Sequence, residues 1–186
     1  MARVLADNRD RKYSIRQLAL ARKINYKSAY QAVRKLESAG VAVCERFGNI
    51  THCSFAPGID PLVYEVEYAR RKDLLRNRDL KAVYSRLNGL SFPFIALVFG
   101  SCAKRARSKG SDIDLLVVSD NREDVERCIS LIPLEIHLNV FSSKGFASML
   151  LSKEFSVVSE AVKGNVILVG IEDYYRLLEN AGRKQG

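Results

Sequence analysis

Two carboxylates a residue apart, Asp112 and Asp114, open an apolar segment that continues through Leu115, Leu116, Val117 and Val118. In an extended strand, residues two apart share a face, so both acids should project together while Ile113, Leu115 and Val117 point the other way. At a rise of roughly 3.3 Å per residue their Cα atoms would stand about 6.6 Å apart, near enough for the carboxylates to share a hard divalent cation. Like charges held this close repel, and a bound Mg²⁺ or Mn²⁺ removes that cost, so a metal belongs to the expectation. Upstream, the apolar run 94–99 stops at Gly100-Ser101. Gly100 lacks the Cβ that would keep a polyphosphate away from the backbone, and Ser101 offers a hydroxyl and amides to phosphate oxygens. The intervening loop adds positive charge through Lys104, Arg105, Arg107 and Lys109 and ends on a second hydroxyl, Ser111.

The segment Gly100-Ser101-Cys102-Ala103, the eleven-residue step from Ser101 to Asp112, and Ser111-Asp112-Ile113-Asp114 running into an apolar strand together resemble the polymerase-β-like nucleotidyltransferase superfamily. The likeness is closest to its small "minimal" branch, in which Gly-Ser-x-Ala leads to Ser-Asp-Ile-Asp, and it covers about a quarter of the chain, roughly residues 92–139. It implies transfer of a nucleoside monophosphate from an NTP, ATP foremost, to a hydroxyl acceptor on a protein or nucleic acid. Asp112 and Asp114 would be catalytic metal ligands for Mg²⁺ or Mn²⁺, and Gly100, Ser101, Lys104, Arg105 and Ser111 would bind the nucleotide. Arg105 stands where relatives often carry glycine, so a cation meets the phosphates there.

The family places a third carboxylate on a following strand, and residues 134–141 are the candidate. Glu135, His137 and Asn139 alternate there with Leu134, Ile136, Leu138 and Val140, so the three polar side chains share a face. Glu135 is the only carboxylate and is assigned as the third catalytic and metal-binding residue. His137 or Asn139 stays open as the occupant of that position, and either would remove a base or a metal ligand. The minimal branch also implies a protein partner, either the acceptor or the toxin of a toxin–antitoxin pair.

The elements that must position these groups are legible around them. Apolar runs at 94–99 and 113–118 predict neighbouring strands, and residues 144–151, 156–162 and 172–179 predict helices with a short strand at 166–169. Tyr174 and Tyr175 read as packing residues. Residues 64–90 form a charged stretch with apolar Leu74, Leu75, Val83, Tyr84 and Leu87, which predicts a connecting helix whose Arg70-Arg71-Lys72 cluster lies on its surface. Near the start, Ser14-Ile15-Arg16-Gln17 is a capping box for a short helix, and Asn25 can cap a second helix carrying Ala29, Val33 and Leu36, which ends at Gly40. Strands at 41–45 and 50–55 then flank a turn at 46–49.

Helix, turn, helix and hairpin in that order resemble a winged helix-turn-helix domain. The resemblance implies a DNA partner, with Lys27, Ser28, Gln31, Arg34 and Lys35 on the second helix facing the groove and Arg46 at the wing tip. Charge agrees with this. Residues 1–58 hold 11 Lys and Arg against 4 Asp and Glu, whereas residues 92–186 hold 12 against 12, so most of the net +9 sits in the first third.

The four cysteines, Cys44, Cys53, Cys102 and Cys128, form no CxxC pair, which argues against a disulfide framework or zinc ribbon and fits a reducing cytoplasm. No apolar run reaches the roughly 20 residues needed to cross a bilayer, and the first residues carry charge too early for a signal peptide. The reading is therefore an α+β cytoplasmic protein: a winged helix-turn-helix domain at 1–58, a helical linker at 59–91, and at 92–186 a nucleotidyltransferase-fold mixed β-sheet flanked by helices. The rival is a DNA-binding transcriptional regulator whose nucleotidyltransferase domain is catalytically inactive.

Overall fold

A computed structural model describes residues 1–56, 58–103, 112–152 and 154–183. The chain divides into two compact units, Met1–Val66 and Glu67–Gly186.

The first unit begins with helix α1 (Ala2–Ala6), a short strand β1 (Tyr13–Ser14), and helices α2 (Ile15–Arg22) and α3 (Tyr26–Ser38). The predicted capping box forms: Ser14 Oγ accepts from the Gln17 amide at 3.2 Å, and the Gln17 side chain accepts from the Ser14 amide at 2.8 Å. Helix α2 ends where Lys23 takes φ 53°, and α3 starts with Asn25 Oδ1 accepting from the Ser28 amide at 2.8 Å. Ile15, Leu18, Ala29, Val33 and Leu36 turn inward together, and burial of such side chains contributes about 1.5–3 kcal/mol each for the larger ones. Strands β2 (Ala42–Phe47) and β3 (Ile50–Phe55) form a hairpin with β1 against the outer edge of β3, giving the order β1-β3-β2. The turn is shorter than the 46–49 loop expected from sequence: Arg46 and Phe47 belong to β2, and Gly48 enters the turn at φ 59°.

Helix α4 (Pro61–Leu74) runs on past the division between the units, and α5 (Arg78–Leu87) follows as a separate helix. A single long helix was the expectation. Instead Asn77 caps α5, its side chain accepting from the amides of Asp79 and Leu80, and this breaks the stretch in two.

The second unit is built on a four-stranded sheet in the order β6-β5-β4-β7, from β4 (Ile95–Val98), β5 (Ile113–Val118), β6 (Ile136–Phe141) and β7 (Val166–Val169). β4 runs antiparallel to β5 and β7, while β5 and β6 are parallel, so the sheet is mixed. The β5-to-β6 crossover contains helix α7 (Arg122–Ser130), which, with α5, packs Leu80, Val83, Leu87, Val125 and Ile129 against Ile113, Leu115 and Val117 of one sheet face. Helix α6 (Gly100–Ala103) follows β4 directly, and α8 (Ser143–Leu151), α9 (Val157–Lys163) and α10 (Ile171–Arg183) complete the unit.

The Arg70-Arg71-Lys72 cluster corrects the sequence reading, because only Lys72 is exposed. Arg70 is 4% exposed and pairs with the fully buried Glu67, its Nη1 reaching both carboxylate oxygens at 2.8 and 2.9 Å. Arg70 Nη2 donates to the carbonyl of Asn165 at 2.6 Å, and Arg71 Nη1 donates to that of Leu168 at 3.0 Å. These two carbonyls lie on and beside the edge strand β7, which would otherwise present unpaired acceptors. Tyr175 donates to Glu67 at 3.0 Å, and Tyr174 accepts from Asn165 at 2.9 Å, so both tyrosines are buried packing residues.

Candidate functional site

The carboxylates sit where two strands of the second unit begin. β5 opens at Ile113, so Asp114 is its second residue and Asp112 the residue just before it. Ile113 and Leu115 are fully buried on one face. The pleat turns Asp112 and Asp114 to the other face, where their side chains are 38% and 31% exposed, open enough to meet a ligand. Both ends of the turn after β4 are laced to this point. The Phe99 amide donates to the Asp114 carbonyl at 3.1 Å, and Cys102 Sγ donates to the Asp112 carbonyl at 3.4 Å.

Gly100 stands directly against Asp114. Its φ is 65°, and a Cβ built on it would fall 2.3 Å from Asp114 Oδ2, closer than real Cβ contacts come. Glycine is therefore favoured here twice over: the backbone is left-handed, and a Cβ would push the Asp114 carboxylate from its place. Ser101, next along in α6, is exposed beside this turn. Sequence reasoning reserved that space for a polyphosphate; the structure gives part of it to Asp114. Lys104, Arg105, Arg107, Lys109 and Ser111 lie outside the described residues.

The parallel register of β5 and β6 decides which residues of the next strand come near. Asp114 is level with His137, and Leu116 with Asn139. The Ile113 amide donates to the Glu135 carbonyl at 2.9 Å, which sets Glu135 beside Asp112 one residue before β6 begins. The imidazole of His137 reaches both carboxylates: Nε2 is 3.2 Å from Asp112 Oδ2, and Nδ1 is 3.6 Å from Asp114 Oδ1, the latter beyond hydrogen-bond length. Glu135 is exposed on the same face, and Asn139, half-buried, lies further along the strand. Alternation along the sequence showed that the three share a face. It could not show that His137 would be the one whose ring meets the acids.

The donor set suits a hard cation as far as Asp112 and Asp114 go, since both offer carboxylate oxygens from one face beside a turn that glycine keeps open. Among the described residues no group of three or more His, Cys, Asp and Glu side chains is arranged to hold a metal ion. The side chain against the pair is an imidazole, not a third carboxylate.

In the first unit, Lys27, Ser28, Gln31, Arg34 and Lys35 are all exposed on α3, as is Arg46 on β2. Two of the cations are engaged locally: Arg34 pairs with Glu37, and Arg46 Nε donates to the Gly48 carbonyl at 3.0 Å. Sequence reasoning passed over Tyr26 and Tyr30, which stack on the exposed side of α3 with ring centroids 6.5 Å apart. Their i,i+4 spacing was the available signal.

Residues 83–169 match the family model described as Polymerase beta, Nucleotidyltransferase. The match takes in the end of α5, the whole sheet, and Gly100, Asp112, Asp114, Glu135 and His137, and it supports the polymerase-β-like nucleotidyltransferase superfamily for this part of the chain. Nucleotidyl transfer is supported at that level, with a nucleotide as the substrate it implies. No curated protein and no solved structure matches the chain. No helix among the described residues is long and apolar enough to cross a membrane.

Proposed function

We propose that the second unit transfers a nucleoside monophosphate from an NTP, ATP foremost, to a hydroxyl on a protein or nucleic acid acceptor. The observation that carries this reading is the placement of Asp112 and Asp114 on one face, with Asp114 held against a glycine turn where a Cβ would displace its carboxylate. In the reaction the acceptor oxygen attacks the α-phosphorus, the bond to the bridging oxygen breaks, and pyrophosphate leaves.

Asp112 and Asp114 are the residues that would hold Mg²⁺ or Mn²⁺, which when bound supplies positive charge against the triphosphate. Gly100 lets the phosphates approach the backbone beside Asp114, and the exposed Ser101 hydroxyl donates to a phosphate oxygen. Lys104, Arg105 and Ser111 are proposed as further nucleotide contacts. Glu135, level with Asp112, is the group for the proton of the attacking hydroxyl. His137 acts as a positioning residue, its Nε2 holding the Asp112 carboxylate at 3.2 Å.

Incubation with α-labelled ATP, Mg²⁺ and a cell extract as acceptor source tests the reading. Label should pass to an acceptor with the unaltered protein and be lost with Asp112→Asn and with Asp114→Asn. Transfer that survives both substitutions would remove these residues from the chemistry.

A second reading keeps the nucleotide site but not the reaction: a DNA-binding regulator with an inactive transferase unit. The side chain of β6 that meets the two acids is an imidazole and not a carboxylate, which favours it. We propose DNA as the partner of the first unit, with its helix pair and hairpin serving as a winged helix-turn-helix and Lys27, Ser28, Gln31, Arg34, Lys35 and Arg46 facing the duplex. DNA binding without any label transfer would select this alternative.

A further inference from the structure

Cys44 and Cys53 lie directly opposite each other in the β2–β3 register, and their Sγ atoms are 3.0 Å apart, the Cys44 thiol donating to Cys53. Opposed residues of an antiparallel pair have Cα atoms about 4.5–5.5 Å apart, within the roughly 4.4–6.8 Å that a disulfide spans. The two sulfurs can therefore bond with little backbone movement.

Both cysteines are on the core face of the hairpin: Cys53 is fully buried and Cys44 half-buried. A metal is a poor fit for the pair. His52, the next residue along, is turned to the opposite face by the pleat, where its ring meets Phe47 edge-on at 6.0 Å. The remaining cysteines belong to the second unit, where Cys102 donates to the Asp112 carbonyl and Cys128 to that of Arg86.

We propose that Cys44 and Cys53 are an oxidation site that closes to an intramolecular cross-strand disulfide in the presence of a peroxide or a small-molecule disulfide. With peroxide, the Cys44 sulfur, the one that solvent reaches, attacks an oxygen, giving a sulfenic acid and one water. The Cys53 sulfur then attacks the Cys44 sulfur and displaces the hydroxyl as a second water. The two thiols lose two protons and two electrons, and the peroxide is reduced to two waters. Burial pushes both thiols above their ordinary range, Cys53 up to about 12, so closure is slow and needs a sustained oxidant. The bond would fix β2 to β3 two residues before Arg46, whose side chain donates to the Gly48 carbonyl of the turn.

The experiment treats the full chain with hydrogen peroxide or oxidised glutathione, followed by intact mass measurement and peptide mapping. The expected result is a loss of about 2 Da, the two thiol hydrogens, with the Cys44 and Cys53 peptides linked and the loss reversed by dithiothreitol. Cys102→Ser and Cys128→Ser should keep the loss, and Cys44→Ser and Cys53→Ser should abolish it. A stable oxygen or glutathione adduct on Cys44 with Cys53 still free, or a link between two chains, would overturn the proposal. The mapping of the unaltered protein decides the matter even where a serine variant fails to fold.

Discussion

Replacing Gly100 by alanine changes no polar group, so it tests the geometry of the site apart from its chemistry. The added Cβ would meet Asp114 Oδ2 at 2.3 Å, and since real contacts stay beyond 3.0 Å the carboxylate must retreat by about 0.7 Å or more. Holding an L-residue at φ 65° adds about 1–2 kcal/mol. Asp114 is 31% exposed, so its side chain has solvent to swing into, and the unit should stay folded with its melting temperature lowered by about 3–10 °C. The rate is hit harder, because a displacement near 1 Å at a reacting group costs on the order of 100-fold. Initial rates of label transfer from α-labelled NTP, run beside a circular dichroism melt, read the two effects separately. A folded Gly100→Ala variant within about threefold of the unaltered rate would refute the claim that Asp114 works from its place against the bare backbone.

Three further outcomes follow from the same structure. Arg70→Met takes the ion-pair partner from the fully buried Glu67 carboxylate, which keeps the Tyr175 hydroxyl but no balancing charge, and should cost about 3–5 kcal/mol in a denaturant melt, with the double variant Glu67→Leu/Arg70→Met losing less than Arg70→Met alone. Cys53, whose thiol is pushed up to about 12, should alkylate slowly at pH 8 and about tenfold faster per pH step above it. Because the folded value lies above the ordinary 9.0, its stabilising contribution is whole below pH 9 and is lost as pH climbs towards 12, which a melt of the first unit against pH would follow. Lys27→Ala should weaken duplex binding about equally for all sequences and reduce the slope of log affinity against log salt by about 1 in a fluorescence anisotropy titration.

What the sequence disclosed, and what it hid, divides along the range of the interactions. The Ser14 box and the Asn25 cap are signals of three or four residues, and they formed as written. The common face of Asp112 and Asp114 follows from the period of a strand and needed no partner. Which residue of the next strand would meet them depends on register between segments more than twenty residues apart, and alternation alone left Glu135, His137 and Asn139 equivalent. The cysteine pair was hidden for a similar reason. A turn at 46–49 would set Cys44 opposite Thr51, whereas continuing β2 through Phe47 moves the register by two and sets it opposite Cys53. β1 has only two residues and exists because β3 offers an edge to it. Arg70 and Arg71 look like any helix cations until the carbonyls of Asn165 and Leu168, almost a hundred residues on, are brought to α4 and accept from them in turn. The break at Asn77 was a local signal, an Asx cap before Asp79, obscured by the charge around it.

Calorimetric titration of the chain with ATP and the other NTPs in Mg²⁺ tests the central claim most directly, since it asks whether the two acids and the glycine turn hold a nucleotide at all. The account predicts saturable binding of at least one NTP that requires the divalent cation and disappears in Asp112→Asn/Asp114→Asn. Equal binding by that double variant, or binding indifferent to the cation, would contradict it.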